Sequence, residues 1–385
     1  MRAPDSISVT LLGPDIDHKK SLEAMLAGRV SKLTWLPDSM SLLRGRSLSA
    51  PQRIQRAFDQ LTHTRDAVFL NETCRHLDES ETEVLVAYWG TGPLADIVAI
   101  KCMRPHIKIV LMVLCFPLAL ETLGLKRQHW LMRHVAPYLD GILYPNAAMR
   151  EHFRRQVLGK RNNHLEELIL KPCWPHSYQL DAEQNKMEPD RPNLIFVGRT
   201  DLSSSTVHAA DDLRPLMAAI LDNRIELHHA RSPETIDGHP YRRPFEPLDQ
   251  AGLIAKMAKH DASLIAYNAA ACQRTERLEL TVPDRLITSV AAGVPIAIPS
   301  IGYSGSKQYL EDYPAVIEFE SVVDLRLQLA DRGRIRALGE AAWQARRLYE
   351  AEAHGDSLAQ FLAVLSNTSV VSSPERAEAP SLGSS

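Results

Sequence analysis

Two arginines stand where a chain of alternating strands and helices would put phosphate-binding groups. Arg199, for which a surface ion pair is the alternative, follows the apolar run Asn193-Leu-Ile-Phe-Val-Gly198, and Arg285 falls in the first turn of a helical stretch opening at Pro283-Asp284. A strand-end loop beside a helix start gathers unpaired backbone N–H groups, and a guanidinium there adds a planar, fixed positive charge. Ser203-Ser204-Ser205 extends the Arg199 loop and offers hydroxyl and N–H donors to the same ligand. Asp15-Ile16-Asp17-His18 follows the first predicted strand. Its Asp-x-Asp could mimic a metal–nucleotide motif, but Asp17 is expected to cap a helix starting at His18. His18 itself suits a general base, since imidazole titrates near neutrality; a plain surface histidine is the ordinary alternative. Gly13-Pro14 and Gly90-Thr91-Gly92-Pro93 are turns where backbone can approach a substrate, or simple turns into helices.

The elements that must position these residues alternate short β-rich runs with longer helical ones. That pattern predicts parallel sheets covered by helices on both faces. In the first half strands are expected at 7–12, 32–36, 66–71, 83–88, 107–114, 141–144 and 165–170, with helices at 94–104 and 122–136. The polar stretch 181–191 reads as a linker. Strands then resume at 193–197, 225–229, 263–267, 295–299 and 316–319, with helices at 209–221, 250–259, 285–292, 332–351 and 357–365. The expected architecture is α/β, two doubly wound Rossmann-like domains facing a cleft. The first covers 1–180 and the second 192–350, with a closing helix at 351–366 and a disordered tail at 367–385. Ligands of such sheets sit at the carboxyl ends of strands, where the residues named above lie.

Composition narrows the function classes. The 385 residues carry 44 basic and 47 acidic side chains, a net charge of -3. Such a balance lacks the positive field that nucleic-acid binding requires. The five cysteines are dispersed, with no Cys-x-x-Cys pair, as in a reducing cytoplasm. The longest apolar run, 109–120, has 12 residues and contains Pro117, too short for a bilayer crossing of about 20 residues. His228-His229 and the pair His129/His134 lack metal-ligand spacing with a third ligand. Arg150, Arg154, Arg155, Lys160 and Arg161 form a local basic cluster, either a solvated face or a rest for anionic lipid. No Gly-x-Ser-x-Gly, Walker loop or His-Glu-x-x-His occurs.

Three stretches of the second half carry a family resemblance: Asn193–Arg199, His260-Asp261-Ala-Ser-Leu-Ile-Ala-Tyr267-Asn268, and Pro283-Asp284-Arg285-Leu-Ile-Thr288 through Ala292-Gly293-Val-Pro295. Together they resemble the donor domain of GT-B glycosyltransferases, particularly the retaining "group 1" class, whose corresponding helix ends in Ala-Gly-x-Pro. The resemblance covers about 193–350; in the first half it is architectural. It implies transfer of a sugar, hexosyltransferase-like, from a nucleotide diphosphate-sugar to an acceptor hydroxyl in surface glycan or glycoconjugate synthesis. Donor contacts would come from Arg199, Ser204, Tyr267, Asn268, Asp284, Arg285 and Thr288, and acceptor contacts from the loops at Gly13, Gly90, Thr91 and Gly92. His18 would be catalytic. The implied partners are the nucleotide-sugar and a glycan, lipid-linked or protein acceptor, without nucleic acid, cofactor or metal. The implied location is cytoplasmic, including the inner face of a membrane. Thr288 stands where the class carries a ribose-binding glutamate, and Phe116-Pro117 where it often has a histidine. These differences define the alternative: a non-catalytic GT-B-like module that binds nucleotide or glycan or supports a partner enzyme.

Overall fold

The computed structural model describes residues 4–38, 67–88, 94–114, 116, 119–158, 164–181, 191–198, 209–231 and 238–367. The first sheet contains β1 (Ser8–Leu12), β2 (Lys32–Leu36), β3 (Val84–Tyr88), β4 (Lys108–Met112), β5 (Gly141–Tyr144) and β6 (Glu166–Ile169), ordered β2-β1-β3-β4-β5-β6. The second contains β7 (Asn193–Phe196), β8 (Glu226–Ala230), β9 (Arg242–Phe245), β10 (Ala262–Leu264), β11 (Ile296–Pro299) and β12 (Val316–Phe319), ordered β12-β11-β10-β7-β8-β9. All neighbouring strands pair in parallel. β1, β3, β4, β5 and β7 are buried at every residue, as their largely apolar sequences favour when helices cover both faces. The expected pair of doubly wound sheets is thus present.

The helices that matter below are α1 (Asp17–Leu26), α2 (Ala67–Glu79), α3 (Leu94–Met103), α4 (Thr122–Val135) and α5 (Ala147–His152) in the first half. The second half adds α6 (Arg214–Asp222), α7 (Gln250–Met257), α8 (Glu276–Leu280), α9 (Asp284–Ala291), α10 (Ser304–Tyr309), α11 (Val322–Ala330), α12 (Arg332–Ala345) and α13 (Gly355–Asn367). The chain crosses between domains twice, and the two crossings run side by side through a parallel bridge between Trp174 and Glu350. After the second crossing α13 packs back on the first domain. A Cβ on Gly141 of β5 would meet Phe361 at 2.9 Å and Leu365 at 3.0 Å, so glycine is what lets this helix lie on the strand.

Four expectations about elements need correction. Of the strand expected at 66–71, the described residues 67–71 belong to α2: Ala67 to Leu70 continue at helical spacing into Cys74 and Leu77, and strand-like composition yields to that period. Residues 209–221 form not one helix but a short turn at Ala209–Asp211 followed by α6, whose first turn takes Pro215. β10 stops at Leu264 rather than at Tyr267. β9 was not expected, because Arg242-Arg-Pro-Phe245 carries a proline that only an edge strand tolerates, and β9 is an edge.

Candidate functional site

The carboxyl ends of the two sheets meet across an interdomain seam. Asn146, after β5, caps α5 by accepting from Met149 N at 2.8 Å and donates its Nδ2 to Leu280 O of the second domain at 2.8 Å. Ala148 N donates to Gln308 Oε1 at 2.7 Å, and Lys171 pairs with Asp312 at 2.7 Å. Among the sequence-predicted residues, the seam joins His18 of the first domain to Asp284 of the second: His18 Nε2 lies 3.1 Å from Asp284 Oδ1.

His18 is not a surface residue. It is buried, with its ring 4.9 Å from that of Trp174. Asp17 does not cap α1; Ile16 occupies that position without a side-chain cap, and Asp17 opens the helix. The Asp17 carboxylate accepts instead from the Tyr178 hydroxyl at 2.6 Å. Gly13 follows β1 and lies against Tyr88, where a Cβ would come within 2.8 Å of the phenol ring. The Tyr88 hydroxyl donates to Pro14 O at 2.6 Å, and Trp35 Nε1 to Gly13 O at 3.1 Å. Burial pushes the Tyr88 phenol far up, so it is a neutral donor.

On the second domain, α9 begins at Pro283, which sets an extended backbone before the first turn. That turn delivers Arg285 across the ends of β7 and β10. Its guanidinium carbon lies 4.0 Å from the centre of the Tyr267 ring and 5.4 Å from that of Phe196. Nη2 donates to Ala266 O at 2.8 Å, while Nε is buried and has no hydrogen-bond partner among the described residues. A Cβ on Gly198 would overlap the Phe196 ring and lie 2.9 Å from Arg285 Nη1, so only glycine leaves room for this cation. Tyr267 stacks on Tyr303 (centroids 6.2 Å apart, 13° between planes), and its N–H donates to the Tyr303 hydroxyl at 2.7 Å. Burial pushes the Tyr303 phenol up to about 12. Tyr303 holds a left-handed backbone at φ 62, following Gly302 at φ 83. Such strain in a non-glycine residue persists only where its surroundings enforce it, and it gathers at functional sites. Glu279 accepts from Ser304 N at 3.3 Å and Ser304 Oγ at 3.1 Å.

Asn268 starts the turn Ala269–Ala271, its N–H donating to Ala210 O at 2.7 Å. Thr288 is buried and fully engaged. It donates to Asp284 O at 2.8 Å and accepts from Trp174 Nε1 at 3.0 Å and Gln250 Nε2 at 2.7 Å, which uses its proton and both lone pairs. Trp174, Gln250, Phe196 and Tyr303 were not singled out from sequence; Trp174, between Pro172-Cys173 and Pro175, carries no motif spacing. Arg199, Ser204, Gly90, Thr91 and Gly92 lie outside the described residues, as do Lys160, Arg161 and the tail. Within the basic cluster, Arg154 and Arg155 are ion-paired to Glu167 and Glu151. His129 and His152 place their Nε2 atoms 3.3 Å apart beside Phe116, and burial holds His152 near a pKa of about 4. Among the described residues no group of three or more His, Cys, Asp or Glu side chains converges to hold a metal ion.

No family model and no curated protein sequence matches the chain. Solved structures do. A sucrose-phosphate synthase from Thermosynechococcus elongatus superposes with a TM-score of 0.64 over 93% of this chain and 98% of its own, at 11% identity. An α,α-trehalose 6-phosphate synthase from Burkholderia multivorans gives 0.61 over 94% and 99%, at 10% identity. The UDP-forming α,α-trehalose-phosphate synthase from Burkholderia xenovorans, solved with glucose-6-phosphate, gives 0.60 over 92% and 100%, at 9% identity. With two parallel six-stranded sheets facing across one seam and matched nearly end to end, this chain has the GT-B glycosyltransferase fold.

Proposed function

We propose that the chain transfers a sugar from a nucleotide diphosphate-sugar to an acceptor hydroxyl, with the donor held by the second domain. The observation that carries this is Arg285, held against Tyr267 and Phe196 with a buried Nε that has no partner among the described residues. When the bond from the anomeric carbon to the diphosphate oxygen breaks, negative charge grows on the diphosphate. A cation already fixed at that point stabilises it without reorganising. Arg199 and Ser204 join Arg285 on the phosphates in this proposal, Tyr267 and Asn268 line the sugar side, and Asp284 fixes the edge of the site. The acceptor oxygen bonds to the anomeric carbon and its proton passes to His18, whose imidazolium Asp284 stabilises. Because His18 is buried, the domains part to admit the acceptor and close again to return Asp284 to His18 before the proton passes. Gly13 and the Gly90–Gly92 loop are the acceptor-side walls. The acceptor class is a glycan, a lipid-linked precursor or a protein hydroxyl in glycoconjugate synthesis, met in the cytoplasm or at the inner face of a membrane. Among the described residues no helix is long and apolar enough to cross that membrane.

Thr288 favours a second reading. Its saturated hydroxyl offers a ribose nothing, so a module that binds nucleotide or glycan without turnover is the alternative. Incubation with UDP-, GDP-, dTDP- and CDP-sugars and a lipid extract, read as release of free nucleotide beside calorimetric binding, separates the two. Release from one nucleotide family, abolished in Arg285→Met, supports transfer. Binding without release supports the module, and neither binding nor release contradicts both.

A further inference from the structure

On α4, Leu123 is 81% exposed and Trp130 57% exposed, an unusual display for a helix whose opposite side, Leu125, Met132 and Val135, is buried. At 3.6 residues per turn, positions 123, 126, 127, 130, 133 and 134 fall within about 120° of the helix circumference. All six are exposed. Leu123 and Trp130 occupy the middle of that arc; Lys126 and Arg133 flank one side, Arg127 and His134 the other. The helix contains no acidic residue. Lys126 and Arg127 make no ion pair with a described carboxylate, unlike the neighbouring Arg154 and Arg155. Arg133 is held at the flank by donating to Val157 O at 2.8 Å and Gln156 O at 2.7 Å, and the Trp130 ring stacks on His134.

We infer that this face of α4 docks on an anionic lipid surface. An apolar centre bordered by cations on a helix lying flat is the arrangement that sinks into the headgroup boundary: Leu and Trp enter it, and Lys and Arg meet lipid phosphate. A second copy of the chain is a poor occupant, because apposing two such faces brings like charges together. The exposed aliphatic Leu123 serves no purpose against the phosphates of a nucleic acid. The helix also begins at the interdomain seam, since Leu120 O, two residues before it, accepts from Arg274 N of the second domain at 3.2 Å. A bilayer on this face therefore lies beside the seam. Docking itself does not rest on glycosyl transfer. A lipid-linked acceptor does, and the docking surface would present it to the strand ends.

The test is co-sedimentation of the full-length protein, without nucleotide, with vesicles of phosphatidylcholine alone or with about one third phosphatidylglycerol. Binding is expected to the anionic vesicles and to weaken as ionic strength rises past roughly 0.15 M. Lys126→Ala with Arg127→Ala removes two cations from the lipid phosphates and should weaken binding roughly thirtyfold. Leu123→Ser with Trp130→Ser should remove most of the remainder. Leu327→Ser, at an exposed apolar site on α11 of the second domain, should change nothing. Wild-type protein that stays in solution with anionic vesicles would overturn the inference. So would variants that all bind like wild type, a Leu327→Ser loss as large as that of the α4 pair, or a wild-type dimer that Leu123→Ser with Trp130→Ser splits. Vesicle binding without sugar transfer would leave this surface standing while the transferase reading falls.

Discussion

At the carboxyl end of β1, the carbonyls of Gly13 and Pro14 are taken up by Trp35 and Tyr88, and the nearby histidine is buried against Trp174. At the ends of β7 and β10, by contrast, a guanidinium is fixed between two aromatic rings with a donor unpartnered among the described residues. One end is closed by neutral hydrogen bonds; the other holds a prepared positive charge. Two parallel six-stranded sheets thus offer different chemistry, and the proposed function draws on that difference in placing the anionic ligand on the second domain.

Arg285→Met breaks that contrast most directly. Losing charge-assisted bonds to a diphosphate should cost roughly a hundredfold in affinity for a nucleoside diphosphate, measured by calorimetry, with the fold retained by circular dichroism. Gly198→Ala acts through the same cation by displacing it, and should weaken the same binding by about tenfold. Gly13→Ala sharpens the other half. Its Cβ would press on the Tyr88 ring, so urea unfolding should show a loss of about 1–3 kcal/mol while nucleotide affinity holds. Trp174→Phe removes one donor from Thr288 and should lower stability by about 1 kcal/mol, with little change in binding.

A last effect comes from histidines away from the seam. Burial holds His228 near a pKa of about 4 and His260 near about 3, with Lys256 adding repulsion to both. Both values lie below the usual 6.5 of the unfolded chain, so on acidification the unfolded state takes up protons first. Their contribution is fully present above about pH 6.5 and is lost as the pH falls towards 4 and then 3. The urea midpoint should therefore fall between pH 7 and pH 5 without loss of nucleotide binding at saturating ligand.

The sheets were legible in the sequence because several of their strands are largely apolar runs set between helical stretches, a pattern that survives without any alignment. β2, β5 and β12 begin and end where the alternation places them. β9 was hidden by its proline, and 67–70 looked like a strand because helical spacing shows only when Cys74 and Leu77 are included. At the site, Arg285, Tyr267 and Asp284 carried recognisable spacing. Phe196, Tyr303 and Trp174 did not, since a ring that clamps a cation or satisfies a hydroxyl is recruited through space from strands and crossings far along the chain. The burial of His18 was likewise invisible, because it depends on Trp174, which lies 156 positions away.

The most direct test of the central claim is calorimetric titration of the full-length protein with UDP, GDP, dTDP and CDP, wild type beside Arg285→Met. The account predicts saturable binding of one base family to the wild type, weakened roughly a hundredfold in the variant. Equal affinity in wild type and variant, or no heat with any nucleotide in a protein that melts cooperatively, would contradict the placement of a donor site at Arg285.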